Sequence, residues 1–240
     1  MNSGLVPRRI LVVQASTATL QGPNVNEEFR RISQSVAGAP YGHALSLECL
    51  QAARAADLPD RLARHGVPAV LHFSGRGTAD GGGLRFLTED GRDDMPITNS
   101  GLQKLIAEVA DEGLELVVLN ACWTDDLAGA LAESAGCVIG TCGPIPDISA
   151  LDYARELYRN IACGHSVGRA HRLACAATAM YGAAPADLPT LRNEPEVNAD
   201  GVFLVGPEYR TPLPGEPVKP TGSGIRYRLG KGKGVFRRPG

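Results

Sequence analysis

The sequence predicts an α/β fold with a mostly parallel sheet and helices on both faces. Three observations carry this. Short, almost wholly apolar runs recur along the chain, as in strands buried on both sides. Between them lie segments whose apolar residues fall three and four apart, the spacing of a helix face. The 240 residues are 43% hydrophobic and 21% charged, enough apolar material for a sizeable core. No stretch of about 18 apolar residues occurs, so no transmembrane helix is expected. No apolar run of a secretory signal opens the chain. No internal repeat is visible. Six cysteines are too few for a disulfide scaffold and suit a reduced, cytoplasmic setting.

The elements follow in order. Ile10–Gln14 reads as a buried strand. Val25, Phe29, Ile32 and Val36 form one helix face, with Asn24 or Asn26 as the cap. Leu45, Leu47 and Cys49 alternate with Ser46 and Glu48, a strand signal. Leu58–His65 is helical and stops at Gly66. Ala69–Phe73 is a second buried strand. Gly75–Gly83 is a glycine-rich loop, and Leu84–Leu87 with the Asp90-Gly91 turn suggests a small hairpin. Leu102–Val109 is helical, and Leu114–Asn120 is the most apolar strand. Leu127–Glu133 is a helix and Cys137–Cys142 a strand. Ala150–Ala162 is a helix closed by Gly164, Val167–Met180 is another, and Val202–Val205 is read as a last strand. In sheets of this kind ligands bind beyond the carboxyl ends of the strands. Two segments fall there: His72-Phe73-Ser74-Gly75-Arg76-Gly77 and Asn120-Ala121-Cys122.

Both ends stand apart from this body. Ser3-Gly4-Leu5-Val6-Pro7-Arg8 resembles a protease-cleavage linker, so residues 1–8 are set aside, as either a tag or linker remnant or native sequence. Residues 206–240 hold eight Lys/Arg and two Glu, a net +6, which leaves −8 of the chain's −2 on residues 1–205. Gly and Pro are frequent there and no acid occurs in the last twenty residues, so a flexible basic tail is expected. Such a tail is either simply solvated or a contact for nucleic acid, anionic lipid or an acidic partner.

Cys122 sits where the central strand leaves the sheet, open to a cleft and within reach of a substrate carbonyl. By spacing alone, a buried structural cysteine is the commoner outcome. Val70-Leu71-His72-Phe73-Ser74-Gly75-Arg76-Gly77 followed by Leu119-Asn120-Ala121-Cys122 resembles the CHAT family of caspase- and separase-like cysteine peptidases. The family pattern is a strand ending in His-Phe-Ser-Gly-His-Gly, a Gly-Gly-Leu hairpin, then Leu-Asn-Ala-Cys. Gly82-Gly83-Leu84, Val138-Ile139-Gly140, Ile145-Pro146-Asp147, Ala154–Tyr158 and Gly164-His165-Ser166-Val167 extend the likeness over residues 10–205.

The resemblance implies a caspase-like three-layer sandwich over residues 9–205 and cleavage of protein or peptide substrates through a thioester on Cys122. The N–H groups near Gly77 and Cys122 would form the oxyanion hole. It implies no cofactor, and a role in bacterial signalling, defence or regulated cell death driven by a separate sensor or activator protein. One position departs from the pattern. The family's catalytic histidine is the second in its motif, and here that residue is Arg76. A guanidinium can stabilise a negative charge but has no acceptor and stays protonated, so it cannot shuttle a proton. Loss of that transfer costs about 10²–10⁴-fold in rate. A natural pseudopeptidase, a silenced variant of an active one, and an enzyme with another base all remain open.

His72 is the nearest alternative base, on the same strand side as Ser74 and Arg76 but about 13 Å behind the latter. His43, His165 and His171 carry no catalytic signal in their surroundings. Asp147 falls where this clan forms its pocket for the residue before the scissile bond and would attract a basic side chain; it reads equally well as a helix N-cap. Leu151 stands where separases carry a further acid, so arginine specificity does not carry over. Asp125 and Asp126 look like first-turn helix acids, which do nothing to favour a thiolate. Two other readings are weaker. Cys137, Cys142, His171 and Cys175 make a Cys₃His set without tight zinc spacing. The glycine-rich loop lacks the Walker and Rossmann patterns of a phosphate cradle. The main rival is a non-enzymatic module that holds an extended peptide by strand addition.

Overall fold

The structure is a computed structural model that describes residues 6–16, 24–78 and 83–209. Residues 206–209 end the described part, and the rest of the basic tail lies outside it, as do residues 1–5 of the linker-like segment. Eight strands and six α-helices follow in the order β1 (Arg8–Gln14), α1 (Val25–Ala37), β2 (Leu45–Leu50), α2 (Asp57–His65), β3 (Val70–Ser74), β4 (Arg85–Leu87), β5 (Asp94–Pro96), α3 (Asn99–Val109), β6 (Leu116–Asn120), α4 (Asp125–Leu131), β7 (Cys137–Gly140), α5 (Asp147–Ala162), α6 (Val167–Met180) and β8 (Thr190–Asn193).

The main sheet has the order β2-β1-β3-β6-β7-β8. Its first five strands are parallel, and β8 runs antiparallel to β7. Right-handed crossovers explain where the helices go. The step from β1 to β2 runs one way along the sheet and puts α1 on one face. The steps to β3, β6 and β7 run the other way and put α2, α3 and α4 on the opposite face. Helices α5 and α6 then return to the face of α1. Two cores result. Val12, Val70, Val118 and Ile139 pack on Ile32, Tyr158, Ile161 and Ala170. Leu11, Phe73, Val117 and Leu119 pack on Leu58, Ile106, Leu127 and Leu131. This is the three-layer, mostly parallel sandwich that the sequence predicts.

Local chemistry sets the element ends. The Asn24 side chain accepts the Glu27 N–H and caps α1. Gly66, at φ 74°, turns the chain out of α2, where a side chain would be strained. The β4–β5 hairpin closes through Thr88 and the Asp90-Gly91 turn, with Gly91 at φ 67°.

One expectation is corrected. Val202–Val205 is not a strand. Leu204 and Val205 plug the α1/α5/α6 core, and the Val202 carbonyl accepts the N–H of Val167 at the start of α6. The last strand is instead β8, whose Thr190-Leu191-Arg192-Asn193 is half-exposed at the sheet edge and too polar to advertise itself. It is held by Arg192, which pairs with Asp125 of α4 at 2.6 Å.

Candidate active site

The carboxyl ends of β3 and β6 meet in a polar row. In register, Gln14 of β1, Ser74 of β3 and Asn120 of β6 are neighbours on the face covered by α1 and α5. Polar side chains this deep need partners. Glu28 of α1 supplies most of them. Its carboxylate accepts His72 Nε2 at 2.7 Å, Asn120 Nδ2 at 2.5 Å and the Ser74 hydroxyl. Gln14 instead donates to the Val25 carbonyl at 2.5 Å. His72 Nδ1 lies 3.0 Å from the Tyr158 hydroxyl. Burial and the nearby Glu28 charge raise Tyr158 well above its ordinary value, so its hydroxyl keeps the proton and donates. One neutral tautomer of His72, with the proton on Nε2, satisfies both bonds. His72 is fully buried with both nitrogens engaged.

Beyond this row the two chain segments leave the sheet together. A Cβ on Gly77 would fall 1.8 Å from the Cys122 carbonyl oxygen, so only glycine allows the β3 loop to lie against the cysteine backbone. Gly77 faces Leu84 in an antiparallel bridge closed by Thr78 N–H to Gly83 O at 2.9 Å and Arg85 N–H to Arg76 O at 3.0 Å. That pairing turns the N–H of Gly77 away from the hairpin. Among the described residues neither the Gly77 nor the Cys122 N–H donates a hydrogen bond. Trp123, at φ 59°, holds a backbone conformation unusual for a bulky side chain. Its N–H reaches the Gly143 carbonyl at 3.3 Å. Thr124 and Thr141 hydroxyls clamp the Ala121 carbonyl at 2.9 and 2.6 Å.

Cys122, Arg76, Gly77 and Asp147 line one cavity of about 100 Å³, together with Glu28, Asn120, Ile145 and Leu151. The structure therefore brings together four of the five residues singled out from the sequence. His72 is the fifth and lies beneath the cavity, separated from it by the Glu28 network. Arg76 is half-buried, and its Nη1 lies 3.5 Å from Asp94 Oδ2 in β5. Asp94 is buried and also holds Arg85 through a close Nε contact and a 2.8 Å bond to its own carbonyl. Asp147 opens α5, but Pro146 occupies the capping position and no side chain caps the helix. The Asp147 carboxylate is exposed on the cavity wall.

The sequence reading missed Glu28, Asp94 and Tyr158. Glu28 had a signal: it falls on the buried stripe Val25, Glu28, Ile32, Val36, where a carboxylate must find donors. The Cys₃His grouping does not form one cluster. His171 and Cys175 touch, with Sγ 3.7 Å from Nε2, and Tyr153 holds His171 Nδ1 at 2.8 Å. Cys142 points instead to Asp125. Among the described residues no group of three His, Cys, Asp or Glu is placed to hold a metal ion.

A family model, the CHAT domain, matches residues 4–189. The chain belongs to the CHAT domain family. The match begins ahead of β1, so part of the linker-like segment falls inside the CHAT domain boundaries. A solved structure similar to this CHAT domain is that of a secreted C11 cysteine protease from Bacteroides thetaiotaomicron, in complex with an irreversible peptide inhibitor. Identity is 10%, the TM-score is 0.46, and the match covers 66% of this chain and 57% of that one. No curated protein matches this CHAT domain. Among its described residues no helix is long and apolar enough to cross a membrane.

Proposed function

We propose that this CHAT domain is a cysteine-endopeptidase site that receives an extended segment of a protein substrate, with its hydrolytic step greatly weakened by Arg76. One observation carries the reading. The cavity gathers a thiol, two undonated N–H groups and an arginine, and among its described lining residues there is no histidine. Cys122 is the nucleophile. The N–H groups of Gly77 and Cys122 face the oxyanion of a tetrahedral intermediate. Arg76 stands where the proton shuttle belongs and cannot serve as one. His72, bound on both nitrogens, is a positioning residue that orients Glu28 rather than the base. Asp147 attracts a basic side chain from the cavity wall. A separate sensor or activator protein supplies the trigger.

The same arginine supports a second reading, a pseudopeptidase that binds peptides and does not cut them. Both readings predict that a peptide carrying a thiol-reactive ketone at its carboxyl end alkylates Cys122. Alkylation needs no general base, so a silenced site still reacts. Mass spectrometry is expected to find the adduct on Cys122 well ahead of the exposed Cys142, and ahead of the same ketone without its peptide. Adducts spread over both cysteines at equal rates would remove the peptide-site reading.

A further inference from the structure

The exchange of imidazole for guanidinium adds a binding property as well as removing a catalytic one. Two guanidinium groups, Arg76 and Arg85, share the single carboxylate of Asp94, so this corner keeps an excess of positive charge. Arg76 has a 3.5 Å contact to Asp94 and lines the cavity. Gly77 and Cys122, whose N–H groups donate no hydrogen bond among the described residues, line the same cavity. Elsewhere on the lining the charge reverses at the exposed Asp147 carboxylate, whereas that of Glu28 is taken up by His72, Ser74 and Asn120. The space is about 100 Å³, enough for one side chain or a few waters.

We infer that the cavity binds the free carboxyl end of a peptide whose last residue is lysine or arginine. This rests on the peptide-site reading given above. The terminal carboxylate lies on Arg76 and the two N–H groups, and the basic side chain reaches toward Asp147. A carboxylate is ionised at neutral pH, whereas the carbonyl of an internal peptide bond is neutral. Hydrogen bonds from a guanidinium to a carboxylate are charge-assisted, and their planar fork matches both oxygens. A site with a neutral imidazole at position 76 has no comparable preference. The amino-terminal fragment that a cut after a basic residue would release, with its new free carboxyl end, is thus the form this site retains.

The test uses the full chain, immobilised, and two peptide libraries. Both end in lysine or arginine after randomised positions; one has a free carboxyl end and the other is amidated. The acid library is expected to be retained at least tenfold more tightly. Arg76→Gln is expected to lower it to the level of the amide, with the far-ultraviolet circular dichroism of the variant confirming an intact fold. Equal retention of acid and amide overturns the carboxylate site and leaves the peptide-site reading standing. Retention of neither library overturns both.

Discussion

Glu28 is the residue on which the site's floor depends. A carboxylate buried to this degree is tolerated because three donors converge on it, from His72, Ser74 and Asn120. Glu28→Ala would leave those donors without an acceptor, each costing about 1–3 kcal/mol. A loss of about 3 kcal/mol or more is expected in urea unfolding. An unchanged midpoint would show that water replaces the carboxylate at little cost. Gly77 is the second sensitive position. Any side chain there meets the Cys122 carbonyl, a backbone atom that cannot swing aside. Gly77→Ala is expected to abolish alkylation of Cys122 by the peptidyl ketone while the protein stays folded. Labelling at the rate of the parent chain would show that the two segments separate easily.

At the scale of elements, the seam between α5 and α6 carries a pH dependence of its own. Burial lowers His171 from an ordinary 6.5 to about 4. Tyr153, raised well above its ordinary value by its own burial, keeps its proton and donates to His171 Nδ1. The folded chain therefore keeps this ring neutral in a range where the unfolded chain protonates it. The unfolded state binds more protons, so stability falls as pH drops from about 6.5 toward 4, by about 1.4 kcal/mol per unit. Over that window His171 accounts for about 3 kcal/mol at most. Unfolding free energies measured across it are expected to slope less in His171→Gln than in the parent chain. Parallel slopes would contradict this.

The helices were legible because each has an apolar stripe with a stop: Leu58 and Leu62 end at Gly66, and α6 spans the residues expected. Strand β8 was not, because an edge strand with Arg192 and Asn193 exposed has no apolar pattern to show. Val202–Val205 misled for the opposite reason. Its apolar residues Val202, Leu204 and Val205 fill a core and lie in no strand.

For the whole molecule, the sheet order decides what meets at the site. Strands β3 and β6 are neighbours in space although a hairpin and a helix separate them in sequence. The two motif segments could therefore be assigned to one site from the sequence only through family resemblance. Spacing placed each at a strand end but could not pair them. Glu28 and Asp94 reach the same place from α1 and the hairpin, and no local pattern ties them to Cys122.

The assembly is proposed to be a peptidase site silenced at position 76. Hydrolysis of a peptide library by the parent chain and by Arg76→His, each with and without Cys122→Ala, tests it most directly. Arg76→His is expected to cleave about 10²–10⁴ times faster than the parent chain. Adding Cys122→Ala is expected to remove that activity. Equal, Cys122-dependent cleavage by the parent chain and Arg76→His would contradict the claim and point to another base.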